Sequence, residues 1–401
     1  MRKEVAHNSP AIWVLWIVGI WFPEKSSKYY TLYKLYTFVY FFMYIIHVAT
    51  MVVHVSTIYQ DIEALSATFY VLSIKLIGVY KVIYILKGMT FSQELLNVLE
   101  EKIFLPKDKR QENLEKSLFY GWKIRASILI IGVAITVLFL NVWPVIDGLS
   151  NKRLPFASWY PFDYQEFPLF GVIFLFQAMG TIYAGCINVG TDTFASQIMA
   201  NIQIQCYILS DTLKHLFEYS KINLQSKNVP RQVINENMNK MLIACVQHHR
   251  AILRYSKDAE KLFNLGVVGQ FAVSCVVMCL NMLRMTWLNP RSGEFLAMSI
   301  YQLIIVMTLL CYCWHGNEVI FSSSRIPEEA LKCPWYDCSM DFKKNLFFFV
   351  NRTQTPIVIR SLNFFPLSLT SFIAIVRSSY SYYAVLRSVH DPSHDSMNRM
   401  E

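Results

Sequence analysis

Seven apolar stretches punctuate this chain, and the basic residues between them fall almost entirely on one side. The stretches lie between Lys34 and Asp61, at residues 66–86, 126–146, 168–190 and 262–283, between Glu294 and Glu318, and at residues 366–386. A helix needs about 20 apolar residues to cross the roughly 30 Å of hydrocarbon in a bilayer. Inside lipid every backbone N–H and C=O must find its partner within the segment, so helices are the form such stretches take. The second stretch carries Lys75 and Lys81, and the seventh carries Arg377. The expected fold is an all-α membrane protein of seven transmembrane helices.

The charge pattern orients it. One set of segments holds Arg2, Lys3, Lys25, Lys28 and Lys34, then Lys102, Lys107, Lys109, Arg110 and Lys116. The same side holds Lys214, Lys221, Lys227, Arg231, Lys240, Arg250, Arg254, Lys257 and Lys261, and then Arg325, Lys332, Lys343, Lys344 and Arg352. The other side offers Lys152, Arg153, Arg291 and Arg399. The positive-inside rule puts the N-terminus in the cytoplasm and the C-terminus outside, the reverse of a G-protein-coupled receptor. The expected organisation is a cytoplasmic segment 1–34, a seven-helix domain 35–388 and an extracellular tail 389–401. The sequon Asn351-Arg352-Thr353 would then be cytoplasmic.

Composition agrees. The chain is 54% hydrophobic and 16% charged, against about 25% charged in soluble domains. Its net charge of +9 is spread over four segments, a pattern of topology rather than a nucleic-acid-binding stripe. Residues 11–22 are short and Trp-rich and lack a small-residue cleavage site, so they read as an interfacial segment rather than a signal peptide. None of the nine cysteines falls in an expected external loop, so they read as packing residues, without a disulfide framework or a metal site.

No phosphate loop, zinc-protease motif or nucleophile elbow occurs, so neither an enzyme nor a bound cofactor is expected. His47 and His54, seven apart on one helix face, read as packing residues. The cytoplasmic segments are not loops: Met241, Leu242, Cys245, Val246, His249, Ile252 and Leu253 recur at helical spacing, and Leu346, Phe347 and Val350 alternate with charges. Parts of 191–261 and 319–365 should form a helical anchor bundle containing His248, His249, Trp335 and Phe347. Its apolar faces pack either within one chain or between subunits.

Arg377 near the middle of the seventh span would cost about 2.5–3.5 kcal/mol facing lipid, so it should face water or a buried partner. Ser368, Thr370, Ser371, Ser378, Ser379 and Ser381 make the same helix polar. Tyr380, Ala384 and Arg387 share a stripe on which an aromatic ring could form a gate. A ligand site should be apolar with a few polar anchors. The outer halves of the spans supply Phe69, Tyr70 and Ser73, then Thr136, Phe139, Leu140 and Trp143, then Phe174, Gln177 and Tyr183, then Tyr301 and Gln302. Each of these either touches a small hydrophobic ligand or packs the bundle.

The C-terminal third resembles insect odorant receptors. Cys313-Trp314-His315-Gly316-Asn317-Glu318-Val319 is similar to the family's exit from span six. Trp335, Lys343-Lys344 and Arg352-Thr353-Gln354-Thr355-Pro356 resemble its cytoplasmic segment. Phe365-Pro366-Leu367-Ser368-Leu369, Phe372 and Tyr380-Ser381-Tyr382-Tyr383-Ala384-Val385-Leu386 resemble its last span. Upstream, Leu154-Pro155-Phe156, Trp159-Tyr160-Pro161-Phe162-Asp163 and His248-His249 with Ile252-Leu253 continue the likeness. The resemblance implies an odorant-gated, non-selective cation channel with four subunits around a pore of seventh spans, in the plasma membrane of olfactory sensory neurons. It implies a volatile hydrophobic ligand, a gate at Tyr380, Ser381 and Ala384, and the coreceptor Orco as partner. The compact 4–5 segment resembles that of an odorant-tuned subunit rather than that of Orco, which carries an extended one. A gustatory receptor shares the topology, but its closing Thr-Tyr…Gln-Phe signature is missing. A G-protein-coupled receptor would want Asn-Pro-x-x-Tyr in span seven, and Asn289-Pro290 lies in a loop.

Overall fold

A computed structural model describes residues 9–23, 27–148, 154–164, 166, 168–222, 231–362 and 365–389. Residues 1–8 and 390–401, which hold Arg2, Lys3 and Arg399, lie outside the described residues, as do Lys25, Lys152, Arg153 and Lys227. Twelve α-helices are described: α1 Pro10–Ile17, α2 Tyr30–Thr57, α3 Ile62–Lys87, α4 Met89–Val98, α5 Lys109–Gly148, α6 Leu169–Lys214, α7 Leu216–Ile222, α8 Arg231–Trp287, α9 Gly293–Ser324, α10 Ile326–Leu331, α11 Met340–Thr353 and α12 Leu369–Val389. Several starts are set by side chains that accept an otherwise orphaned N–H: Asp61 takes Ala64, Ser292 takes Phe295 and Ser339 takes Phe342.

Six helices, α2, α3, α5, α6, α8 and α9, contain stretches long and apolar enough to cross a bilayer. The seventh, α12, has 21 residues and would span about 32 Å at 1.5 Å per residue, but its serines and arginines keep it outside that apolar set. Exposed aliphatic residues at helical spacing form the surface of the apolar zone: Ile128, Ile131, Ile135 and Leu138 on α5, and Val172, Leu175, Met179 and Ile182 on α6. Such bands suit lipid and would be costly in water.

Connections α2–α3, α5–α6 and α8–α9 gather at one pole, where Trp159 donates its backbone N–H to the Thr50 carbonyl and Arg284 pairs with Glu294. At the opposite pole, Arg110 and Gln111 both bond Asp211, and Glu260 accepts the Arg360 N–H. The helices therefore alternate in direction as the apolar segments require.

At 57 and 46 residues, α8 and α6 are about 86 and 69 Å long, far more than a bilayer needs. Their excess extends at the basic pole, where α4, α7, α10 and α11 pack around it. From Val189 to Cys206 almost every residue of α6 is buried, including Asp192, Gln197 and Gln205. Those polar groups are bonded across helices, Gln203 to Glu318 and Gln205 to His248 among them. The segment read as interfacial becomes α1, which lays Ala11 and Leu15 on α6 and turns Trp13, Trp16 and Ile17 outward. A short hairpin pairs Ser361 (β1, Arg360–Ser361) with Phe365 (β2, Phe365–Pro366) and leads into α12.

Candidate functional site

Two cavities lie one above the other in the apolar part of the bundle. The deeper one, about 110 Å³, is lined by α3, α5, α6, α8 and α9, with Val71, Ile74, Val133, Val137, Ala184, Ile304 and Ile305 as its apolar wall. The outer one, about 340 Å³, opens towards the α2–α3 and α8–α9 connections and includes His54, Trp143, Arg284 and Glu294. Leu140 and Phe156 line both, so they form the partition. Phe156 belongs to the α5–α6 connection and is held by its backbone. Gln177 on α6 accepts the Phe156 N–H at 3.1 Å and donates to its carbonyl at 3.0 Å.

Four polar residues lining the deeper cavity, Lys75, Thr181, Asn188 and Asp192, are charged or bonded to a charge. Lys75, 1% exposed, contacts His47 Nε2 and lies 3.4 Å from Thr181 Oγ1, with its Nζ 4.6 Å from the centre of the Phe156 ring. Asp192 pairs with Lys81, which also donates to Asn188 at 3.0 Å. The Tyr312 hydroxyl donates to Asp192 at 2.8 Å. From there rings run outward: Tyr312 meets Phe271 edge-on at 5.8 Å, and Phe271 meets Phe365 at 5.5 Å, immediately before α12. The cavity floor is thus connected by direct contact to the entry of the last helix.

A second contact fixes that entry. A Cβ at Gly316 on α9 would lie 2.4 Å from the Leu367 carbonyl oxygen, so only glycine lets the hairpin cross α9 this closely.

Helix α12 packs on α8 and α9 through one stripe, with Ser371 and Ser379 buried and Phe372, Ile375 and Val376 against the core. Thr370, Arg377, Ser381, Ala384 and Ser388 lie on the opposite, exposed face. Tyr380, 61% exposed, and Arg387 flank that face, and Ser381 returns its hydroxyl to the Arg377 carbonyl at 3.0 Å. The helix is amphipathic in the sense opposite to that expected for lipid contact: its most polar stripe points away from its own bundle.

A sequence profile of the 7tm odorant receptor family matches residues 61–380, most of the chain. The chain belongs to that family. Odorant receptor Or1 of Anopheles gambiae is 23% identical over 348 residues, covering 82% of each chain. Odorant receptor 46a, isoform A, of Drosophila melanogaster is 22% identical over 386 residues, covering 93% of this chain and 95% of its own. The olfactory receptor OR5 of Machilis hrabei in complex with eugenol superposes with a TM-score of 0.82 at 16% identity, covering 97% of this chain and 98% of its own. The same receptor in a second structure superposes at 0.80 and 17% identity. These likenesses establish the seven-helix receptor fold, and the family is one of ligand-binding membrane receptors, not enzymes.

Within this odorant receptor fold the residues expected at the ligand site are dispersed. Thr136, Leu140 and Tyr301 line the deeper cavity, and Tyr70, Leu140 and Trp143 the outer one. Tyr183 lines a separate pocket with Tyr40, Tyr44 and Phe176, between α2 and α6. Gln177 is engaged with the Phe156 backbone. Gln302 accepts from Asn281 at 2.9 Å, and Ser73 bonds the Phe69 carbonyl, while Phe69 itself is exposed. Phe139 stacks on Trp143, and Phe174 lies against Phe170. Sequence reasoning left Val71, Ile74, Thr181, Asn188, Gln270, Ser274 and Thr308 out of the wall. For Thr181, Asn188, Gln270, Ser274 and Thr308 the signal is a polar residue on the bundle-facing side of an apolar helix, recognisable only once the faces are known, and the aliphatic Val71 and Ile74 carry none.

At the basic pole the two histidines work within the chain. His248 bonds Gln205 at 3.1 Å and packs on Phe104, and His249 packs edge-on against Phe349 at 5.7 Å. His249 lies about 20 Å along α8 from the start of its apolar stretch. Burial, and secondarily the Arg352 charge, push its pKa down to about 4. Trp335 and Phe347 are different. Phe347 is 73% exposed, and with Trp335, Tyr336, Met340 and Phe348 it forms an outward apolar patch.

Proposed function

We propose that this receptor is the odorant-tuned subunit of a ligand-gated, non-selective cation channel, acting with the coreceptor Orco in the plasma membrane of olfactory sensory neurons. The observation that carries this reading is the reversed amphipathicity of α12. Arginine and serines on a face turned from the bundle demand water, and a shared aqueous path between subunits supplies it. Four copies of such a helix, one per subunit, would surround the pore, with Tyr380, Ser381 and Ala384 at its narrow region and Arg377 and Arg387 along its wall. The distribution of basic residues supports a cytoplasmic N-terminus and anchor and an extracellular C-terminus. The outward patch around Trp335 and Phe347 supports subunit contact through the anchor, whereas His248 and His249 stabilise each subunit internally.

A small hydrophobic volatile would enter through the outer cavity, pass Leu140 and Phe156 and occupy the deeper one. Binding an expanded arrangement of α3, α5, α6 and α9 more tightly than the resting one would shift the population towards the open state. The contact series Asp192, Tyr312, Phe271 and Phe365 supplies a physical route to α12. The test is current recording from cells expressing this chain with the coreceptor, challenged by an odorant panel. Ligand-evoked cation current is expected, with altered basal current or ion permeability in Tyr380→Ala. Silence despite surface expression of both chains contradicts the channel reading, and an unchanged Tyr380→Ala current removes that residue from the gate.

A further inference from the structure

We infer that the deeper cavity recognises a small carboxylic acid through Lys75. This rests on the reading of that cavity as the odorant site. Two buried lysines face this part of the bundle, and they differ in how their charge is met. Lys81 is neutralised by Asp192, which also receives Tyr312. Lys75 has His47, the Thr181 hydroxyl and the face of Phe156 around it, and no carboxylate among its contacts. Thr181 is a neutral acceptor, since it gives its own proton to the Gln177 carbonyl at 2.9 Å, and His47 offers a ring nitrogen rather than an anion. Among the described residues no anion meets the Lys75 charge, although the residue is 1% exposed and sits mid-way along an apolar helix.

The cavity brings the missing partner's dimensions with it. Lys75, Phe156 and Thr181 all line it, so the ammonium is at its wall rather than behind it. The remaining surface is chiefly Val71, Ile74, Val137, Ala184 and Ile305, which suits a short alkyl chain. At about 110 Å³ it is smaller than the roughly 150 Å³ cavity that holds benzene, so about four carbons is the natural size.

The pairing works from either protonation state. A protonated Lys75 receives a carboxylate and keeps its proton. A neutral Lys75 amine takes the proton of an incoming RCOOH, giving RCOO⁻ and the ammonium with no other reactant. Both routes end in the same charge-assisted hydrogen bond.

The experiment records dose–response curves from the full chain with its coreceptor for butanoic acid, 1-butanol and butanal. The wild type should be most sensitive to the acid. Lys75→Met and Lys75→Gln should raise the half-maximal acid concentration roughly ten- to a hundredfold, while the alcohol shifts less than about threefold. Lys75→Arg should retain acid preference. If the neutral variants fail to reach the surface, the purified wild-type chain decides: stabilisation against heat by butanoate and not by butanol supports the proposal, and equal stabilisation overturns it. No acid preference in the wild type, or equal shifts for acid and alcohol in Lys75→Met, also overturns it. So does a preference for butanal, which would point to imine formation with the amine. Thr136→Trp fills the same cavity without touching Lys75. Responses that survive it unchanged sink the cavity reading itself, whereas their loss alongside an intact Lys75→Met response sinks only the acid assignment.

Discussion

Asp192 is the residue whose loss should be felt most widely. It is 2% exposed on α6, pairs with Lys81 of α3 and accepts from Tyr312 of α9, so it ties three helices beneath the cavity. Asp192→Leu leaves Lys81 buried with only the Asn188 amide oxygen at 3.0 Å to receive it. Breaking a buried pair from one side costs about 3–5 kcal/mol, because the surviving charge is left uncompensated. Unfolding entropies near 2.1 cal/mol/K per residue give about 0.8 kcal/mol/K for a chain of this length, so a 4 kcal/mol loss lowers Tm by about 5 °C. Fluorescence-detected size exclusion of detergent-solubilised receptor after heating measures this directly. Adding Lys81→Met should recover most of the loss, since the double replacement removes both charges. A shift under 1 °C for Asp192→Leu, or a double variant no better than the sum of the singles, would refute the account of this site.

Gly316→Ala should drive a Cβ into the Leu367 carbonyl and displace the start of α12; evoked current should fall at least tenfold at unchanged surface level, measured by current density against surface labelling, and a normal response would remove this contact from the coupling route. His249 is neutral in the fold, with its pKa lowered to about 4 from 6.5. Its contribution is therefore whole above pH 6.5 and is lost as pH falls towards 4. Lowering pH from 7.5 to 5 should cost up to about 2 kcal/mol in the solubilised protein, and His249→Phe should flatten that pH dependence of Tm; an equally steep profile in the variant would show that other groups set it.

The spans were legible because lipid imposes a length and a hydrophobicity that few other environments demand. The last helix was legible for the opposite reason: its serines and Arg377 made it too polar for a lipid-facing span, and the structure turns that polarity away from the bundle. Gln177 shows where sequence reasoning stops. A buried glutamine in an apolar helix has the chemistry of a ligand anchor, but an incoming connection 21 residues away uses it to hold the Phe156 backbone. Lys81 and Asp192 show a second limit. Span four, taken to residue 190, ended just short of the carboxylate that neutralises a charge in span two. Their separation of 111 residues leaves no periodic signature. The helical spacing around His248 and His249 is visible in the sequence, but only tertiary contacts show that they bind their own chain while Phe347 faces outward.

The central claim is that the polar face of α12 borders an ion path. Cysteine accessibility during ligand-evoked current tests it most directly. Ser381→Cys and Ala384→Cys, on the outward face, should let a charged, membrane-impermeant thiol reagent block the current, while wild type and Ser379→Cys, on the stripe buried against α8 and α9, stay unaffected. Block at residue 379 with none at 381 or 384 would contradict the account.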